Sequence, residues 1–277
     1  MVTSIGEKFI EERVKERLEH SLLQWKDWKK VGECTCNSLP TVEKEIGSGL
    51  VNHTFLVRSG SYRAVIRVNC INPGKLGIDR LRELKILEAL KNSDFVPDIL
   101  YRDSHVLVTE YISGYTLNDE FLGSPVNRSR LASVLEKIQT TFIAGVNPFS
   151  YLDCCKGYAR DLPHDPSEVV DWEKLCAVAM EIDSACHEPV LCHHDLVSEN
   201  ILIRQDAIFF IDWEFGAIGH PAFDYVKLFG EDVSRGMLAH RDISSGEIQK
   251  INFLQSAIDR LWYSAEKIVS GQGESGV

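Results

Sequence analysis

His193-His194-Asp195-Leu196-Val197-Ser198-Glu199-Asn200 runs straight into Ile201-Leu202-Ile203, and a second apolar run, 207–211, ends at Asp212-Trp213-Glu214. Two short β-prone runs divided by a polar turn predict a tight strand pair at 200–203 and 207–211. A hairpin brings the chain back to the end where it started. Asn200 and Asp212 must therefore lie at one end of two adjacent strands, with Asp195 on the loop that enters them. No other stretch constrains the fold as tightly.

The remaining pattern surrounds this hairpin with two kinds of structure. Residues 7–30 are charge-rich, with Phe9, Ile10, Val14, Leu18, Leu22 and Trp25 near helical spacing, which predicts a packing helix. From Pro40 short strands are expected at 41–46, 53–58 and 62–69, with Ser59-Gly60-Ser61 as a hairpin turn. A helix at 78–90 interrupts them, and 99–101 and 105–112 form another hairpin around Asp103-Ser104. Beyond Gly114 helices are expected at about 128–143, 166–186, 221–229 and 247–269, with a frayed Gly/Ser tail at 271–277. This order predicts an α+β chain in two lobes, 1–112 and 113–277.

Composition narrows the function classes. The chain has 277 residues, 44% hydrophobic and 26% charged, which excludes disorder and a disulfide-stapled mini-fold. A net charge of −11 argues against a general nucleic-acid binder and against docking on an anionic membrane. The N-terminal 30 residues have no apolar core of a signal peptide, and no run of about 18 apolar residues exists. The eight cysteines form no CxxC pair, so free thiols in a reducing cytoplasm are expected.

The pattern HxD, four residues, Asn, then Asp twelve positions on resembles the aminoglycoside phosphotransferase and choline kinase superfamily. In that group the sequence IDWE is common at the metal turn, and here it is Ile211-Asp212-Trp213-Glu214. The resemblance implies a bilobal protein-kinase-like fold with a small antiparallel-sheet N-lobe carrying one inserted helix and a mostly helical C-lobe. It implies ATP and Mg²⁺ as cofactors, Asp195 as catalytic base and His193 as the brace of its loop. It makes Asn200 and Asp212 metal ligands, both hard oxygen donors suited to Mg²⁺.

The first half adds support. Gly47-Ser48-Gly49, with Asn52, lies between two strands, where glycines let backbone N–H groups approach phosphates. One strand later, Arg67 stands where the superfamily offers a cation to the donor phosphates; otherwise it is a surface strand charge. Glu83 shares a helix face with Ile86, Leu87 and Leu90, a costly place for an unpaired carboxylate. The resemblance pairs it with Arg67; the alternative is a solvated helix edge. Thr109–Gly114 resembles the hinge, whose backbone at Glu110–Ile112 would meet the adenine edge.

Only 65 residues follow Asp212, too few for an activation segment and a peptide-binding lobe, so a small-molecule alcohol is the expected acceptor. Asp224–Glu231 resembles the stretch that follows the metal turn in choline and ethanolamine kinases. Glu214, Trp262 and Tyr263 are candidate acceptor-binding residues, with a structural acid and ordinary core aromatics as the alternatives. Residues 181–235 hold eleven acids and three bases, a field that favours a cationic acceptor. Choline or ethanolamine comes first, then thiamine, then an aminoglycoside. A nucleotide-binding pseudokinase is the rival of a different class. His194, in the middle of HxD, departs from the Asn that choline kinases often carry there. Oligomeric state is left open.

Overall fold

A computed structural model describes residues 5–29, 38–48, 52–69 and 73–269. Gly49, Cys34, Cys36, Cys70 and the 271–277 tail lie outside these residues. The fold is α+β, and the chain divides into two compact units: Met1–Asn72 with Pro97–Ser113, and Pro73–Val96 with Gly114–Val277.

The first unit is a helix on a five-stranded antiparallel sheet. Helix α1 (Ile5–Leu23) precedes β1 (Thr41–Ser48), β2 (Asn52–Ser59), β3 (Tyr62–Asn69), β4 (Ile99–Arg102) and β5 (Val106–Glu110), arranged β1-β2-β3-β5-β4. Strand alternation sorts β3: Ala64, Ile66 and Val68 are fully buried. They join Val14, Leu18, Trp25 and Trp28 from the N-terminal segment in one apolar cluster with Val57, Val106 and Val108. The expected packing helix therefore covers one sheet face. Arg17 Nη1 ties it down by donating to the Asn69 carbonyl at 2.6 Å. The predicted Asp103 turn is closed by that carboxylate, which accepts from the N–H groups of His105 (2.7 Å) and Val106 (2.9 Å).

The second unit is mostly helical. Helix α2 (Arg80–Leu90) starts at Asp79, whose side chain caps the N–H groups of Leu81 and Arg82. It packs on the turn after Asp212 and so groups with the helices rather than with the sheet. Strand β6 (Tyr115–Thr116) leads to α3 (Asp119–Gly123), α4 (Pro125–Gln139), α5 (Tyr151–Arg160) and α6 (Trp172–Asp183). Then come β7 (Val190–Cys192), β8 (Ile201–Arg204), β9 (Ala207–Phe210), β10 (Ala217–Gly219), α7 (Phe223–Met237) and α8 (Ser245–Val269).

The expected hairpin is β8–β9, with β6 on its open edge, while β7 and β10 pair separately. Helix α4 begins earlier than its apolar pattern suggests because Ser124 caps it with Pro125 at its start. Helix α7 kinks at Gly230, whose φ is 72°. Gly114 is dictated by packing: a Cβ there would lie 2.3 Å from the Ile203 carbonyl oxygen.

Helix α5 was not expected from the sequence. Its buried face is Tyr151, Cys155 and Tyr158, so one cysteine acts as an apolar residue at helical spacing. All five cysteines among the described residues are free thiols. Burial pushes the Cys154 thiol up to about 12. No helix among the described residues is long and apolar enough to cross a membrane.

Candidate active site

The loop between β7 and β8 is held by side chains reaching in from distant elements. Asp224, in the first turn of α7 and fully buried, accepts the backbone N–H of His193 at 2.7 Å and of His194 at 3.0 Å. Burial raises its proton affinity, and the two N–H donors oppose that rise. His193 is also fully buried, and its Nε2 donates to the Ile211 carbonyl at 2.9 Å. Its ring lies 4.6 Å from that of Trp213. His193 thus joins the Asp195 loop to the residue preceding Asp212.

Asn200 completes the arrangement. Its Nδ2 donates to both the carbonyl and Oδ2 of Asp195, each at 2.9 Å. That orientation leaves the amide oxygen, Oδ1, as the group's remaining acceptor. The Ile211 N–H donates to the Asn200 carbonyl at 2.9 Å, drawing the two ends of the hairpin together. Asp212 sits at φ 63°, ψ 62°, in the left-handed region. The Asp195 pKa is raised, first by burial and then by the nearby Asp212 charge, while Lys227 opposes the rise. Asn200 Oδ1 and the Asp212 carboxylate are both hard oxygen donors, the kind that fits a divalent cation such as Mg²⁺.

His194 finds a structural explanation. Its φ is 65°, and its ring lies 4.7–5.7 Å from those of Phe149, Tyr151 and Phe223. The Tyr151 hydroxyl accepts the His220 backbone N–H at 3.1 Å and is hydrogen-bonded to His194 Nε2, also at 3.1 Å. Burial holds the His194 pKa down at about 3, so the ring stays neutral. Gly219 makes room for it, since a Cβ there would lie 2.7 Å from Nε2.

His187, His220 and Glu247 also cluster, their ligand atoms within 4.8 Å of one another. The Ala222 N–H donates to His220 Nδ1 at 3.1 Å, which leaves the His220 proton on Nε2, facing Glu247. That tautomer places a proton where a metal ligand would need a lone pair.

In the sheet unit, Gly47 pairs with Thr54, Thr54 with Arg67, and Arg67 with Leu107, so Gly47 and Arg67 share one cross-strand row. Ser48 and Asn52 flank the β1–β2 turn. Arg67 is 8% exposed and lies on the sheet face opposite Ala64, Ile66 and Val68. Glu110 ends β5, and its N–H donates to the Asp98 carbonyl at 2.8 Å; Ile112 is buried.

In the helical unit, Glu83 is buried and accepts from Arg80 Nη1 at 2.8 Å. The same nitrogen donates to the buried Glu214 at 3.1 Å. Trp262 is half-buried, edge-on to Phe215 at 6.4 Å and to Tyr263 at 5.3 Å, while Tyr263 is exposed. Lys227 Nζ pairs with Asp259 at 2.7 Å. Asp224, Arg80 and Tyr151 were missed from sequence. The only advance signal for Asp224 was its position in the stretch after the metal turn.

Comparisons with known proteins give the fold and the family. The LicA protein of Haemophilus influenzae is 30% identical over 139 residues, covering 48% of this chain and 52% of LicA. Human ethanolamine kinase 1 is 26% identical over 203 residues, covering 63% of this chain and 44% of that protein. The chain thus spans about half the length of the curated relatives it matches. The crystal structure of choline kinase LicA from Streptococcus pneumoniae superposes with a TM-score of 0.69 at 20% identity, covering 96% of this chain and 94% of that one. The likeness establishes the protein-kinase-like fold. The sequence profile of the choline/ethanolamine kinases matches residues 43–236, and the chain belongs to that family.

Proposed function

We propose that this chain transfers the γ-phosphoryl group of ATP to the hydroxyl of a small cationic alcohol, choline or ethanolamine. The observation that carries the reading is the Asp195–Asn200–Asp212 arrangement: a half-buried carboxylate oriented by an amide, with a second carboxylate close enough to raise its proton affinity. Asp195 accepts the proton of the acceptor hydroxyl, and Asn200 keeps its Oδ2 oriented for that task. Asn200 Oδ1 and the Asp212 carboxylate would hold Mg²⁺, which when bound neutralises charge on the phosphate oxygens. His193 keeps the base loop and the metal turn in register.

Donor-phosphate contacts are assigned to Arg67 and to the backbone of Gly47, Ser48, Gly49 and Asn52. Glu83 supports the phosphate-binding cation, and the backbone at Glu110 and Ile112 takes the adenine edge. The half-buried Trp262 and exposed Tyr263 supply aromatic faces for an ammonium group, each contact contributing about 0.5–2 kcal/mol. Glu214 and the acidic 181–235 stretch give a field that favours a cationic acceptor.

An ADP-release assay across choline, ethanolamine, thiamine and an aminoglycoside tests this. Choline or ethanolamine should give the highest kcat/KM. Asp195→Ala should lower kcat by about 10³-fold while leaving Mg·ADP affinity within a few-fold. A preference for thiamine or an aminoglycoside would replace the acceptor assignment. Nucleotide binding without turnover on any acceptor would make the chain a pseudokinase.

A further inference from the structure

Arg80 lies in the first turn of α2, and its Nη1 reaches two buried carboxylates: Glu83 Oε2 at 2.8 Å and Glu214 Oε2 at 3.1 Å. The side chains of Glu83 and Glu214 are 2% and 7% exposed, and that of Arg80 18%. Charge-assisted hydrogen bonds in such surroundings are strong and directional. Packing reinforces them. A Cβ on Gly216 would lie 3.0 Å from Ile86 Cδ1, so α2 sits directly on the turn that follows Asp212.

That turn needs holding. Asp212 adopts φ 63°, ψ 62°, a conformation uncommon for any residue but glycine, and such conformations persist where the surroundings fix them. On its N-terminal flank His193 holds the Ile211 carbonyl. On its C-terminal flank Glu214 is two residues away, and Arg80 holds Glu214. We infer that Arg80 is a positioning residue: by holding Glu83 and Glu214 on one guanidinium, it fixes the left-handed Asp212 turn and sets the register of α2 against it. The consequence for nucleotide binding rests on the function proposed above; the mechanical hold does not.

Hydrogen–deuterium exchange on the full chain reads the hold directly. The Gly216 amide donates to the Trp213 carbonyl at 2.9 Å inside this turn. In Arg80→Ala it should exchange at least tenfold faster, while amides around the buried Leu254 in α8 keep wild-type rates. Arg80→Lys, which keeps a charge but lacks the fork, should recover part of the protection. By calorimetry, Mg·ADP should bind Arg80→Ala about tenfold more weakly.

Wild-type exchange at Gly216 in Arg80→Ala would overturn the inference. So would faster exchange with unaltered Mg·ADP affinity in a wild type that binds it. If the wild type neither binds Mg·ADP nor transfers phosphoryl, the functional reading falls, and the exchange result still decides what Arg80 does. Should Arg80→Ala fail to fold, Glu214→Gln removes the charge at constant shape and gives the same exchange readout.

Discussion

The β7–β8 loop and the β1–β2 end of the sheet carry the two halves of the proposed chemistry, and they are built differently. Around the loop, Asp224, His193 and Asn200 are buried, and each makes at least one side-chain hydrogen bond to main chain or to Asp195. β1 is an edge strand exposed along 41–47, with register shifts between Val42 and Lys44 and between Glu45 and Gly47. A base that must meet one proton needs a fixed position, and buried side-chain-to-backbone bonds supply it. A surface that meets phosphates through backbone N–H groups needs room more than fixity.

The sharpest way to break this contrast is to remove the pin. Asp224→Ala leaves two buried N–H groups without their acceptor, each costing about 1–3 kcal/mol. It should lower Tm by more than any substitution along β1 and lower kcat with it. A folded Asp224→Ala chain with wild-type Tm would show that the loop does not depend on α7.

A glycine pair gives the next largest effect. Gly114→Ala forces a methyl against the Ile203 carbonyl and should cost about 1–3 kcal/mol in denaturant titration. Gly47→Ala meets its nearest neighbour, Thr54 Cβ, at an ordinary 3.6 Å, so Tm should hold or rise slightly. The cost of Gly47→Ala should appear in the KM for ATP. If Gly47→Ala is the more destabilising of the two, the contrast between a fixed and a roomy half is wrong.

The smallest effect is on pH. Burial depresses His194 to about 3 and His220 to about 4, from an ordinary 6.5. Between those values the unfolded chain takes up protons that the folded chain refuses. The stability these rings contribute is therefore full above about pH 6.5 and is lost as pH falls toward 4. Tm measured from pH 7.5 to 5 should decline, and the slope should be shallower in His220→Asn. An equal slope in both proteins would remove His220 from the account.

How much of this was legible depended on distance along the chain. Asp195, Asn200 and Asp212 lie within 18 residues, and the strand pair between them is marked by apolar runs and a turn, so their convergence could be read directly. Strand β3 was predicted over its observed span because the β-branched Val65, Ile66 and Val68 follow directly on the Ser59-Gly60-Ser61 turn. Asp224 and Tyr151 were not legible, because they act on partners 30 to 69 residues away. For Glu83, apolar spacing showed that a buried carboxylate needs a cation, and only the family resemblance offered one, Arg67. Neither pointed to Arg80, one turn earlier on the same helix, which donates to it. The strands β7 and β10 are three residues each and too short for any period to register.

The apolar face of the sheet has one further consequence. The family match begins at residue 43 and ends at 236, yet the cluster that closes the sheet draws on Val14, Leu18, Trp25 and Trp28. At the other end, α8 contributes Ile248, Ile251, Leu254, Ala257 and Leu261, all fully buried, from beyond the match. The family match is thus shorter than the chain that builds the cores of the two units. A fragment cut at the family limits would bare both faces to water and behave as a sticky intermediate rather than as a minimal enzyme.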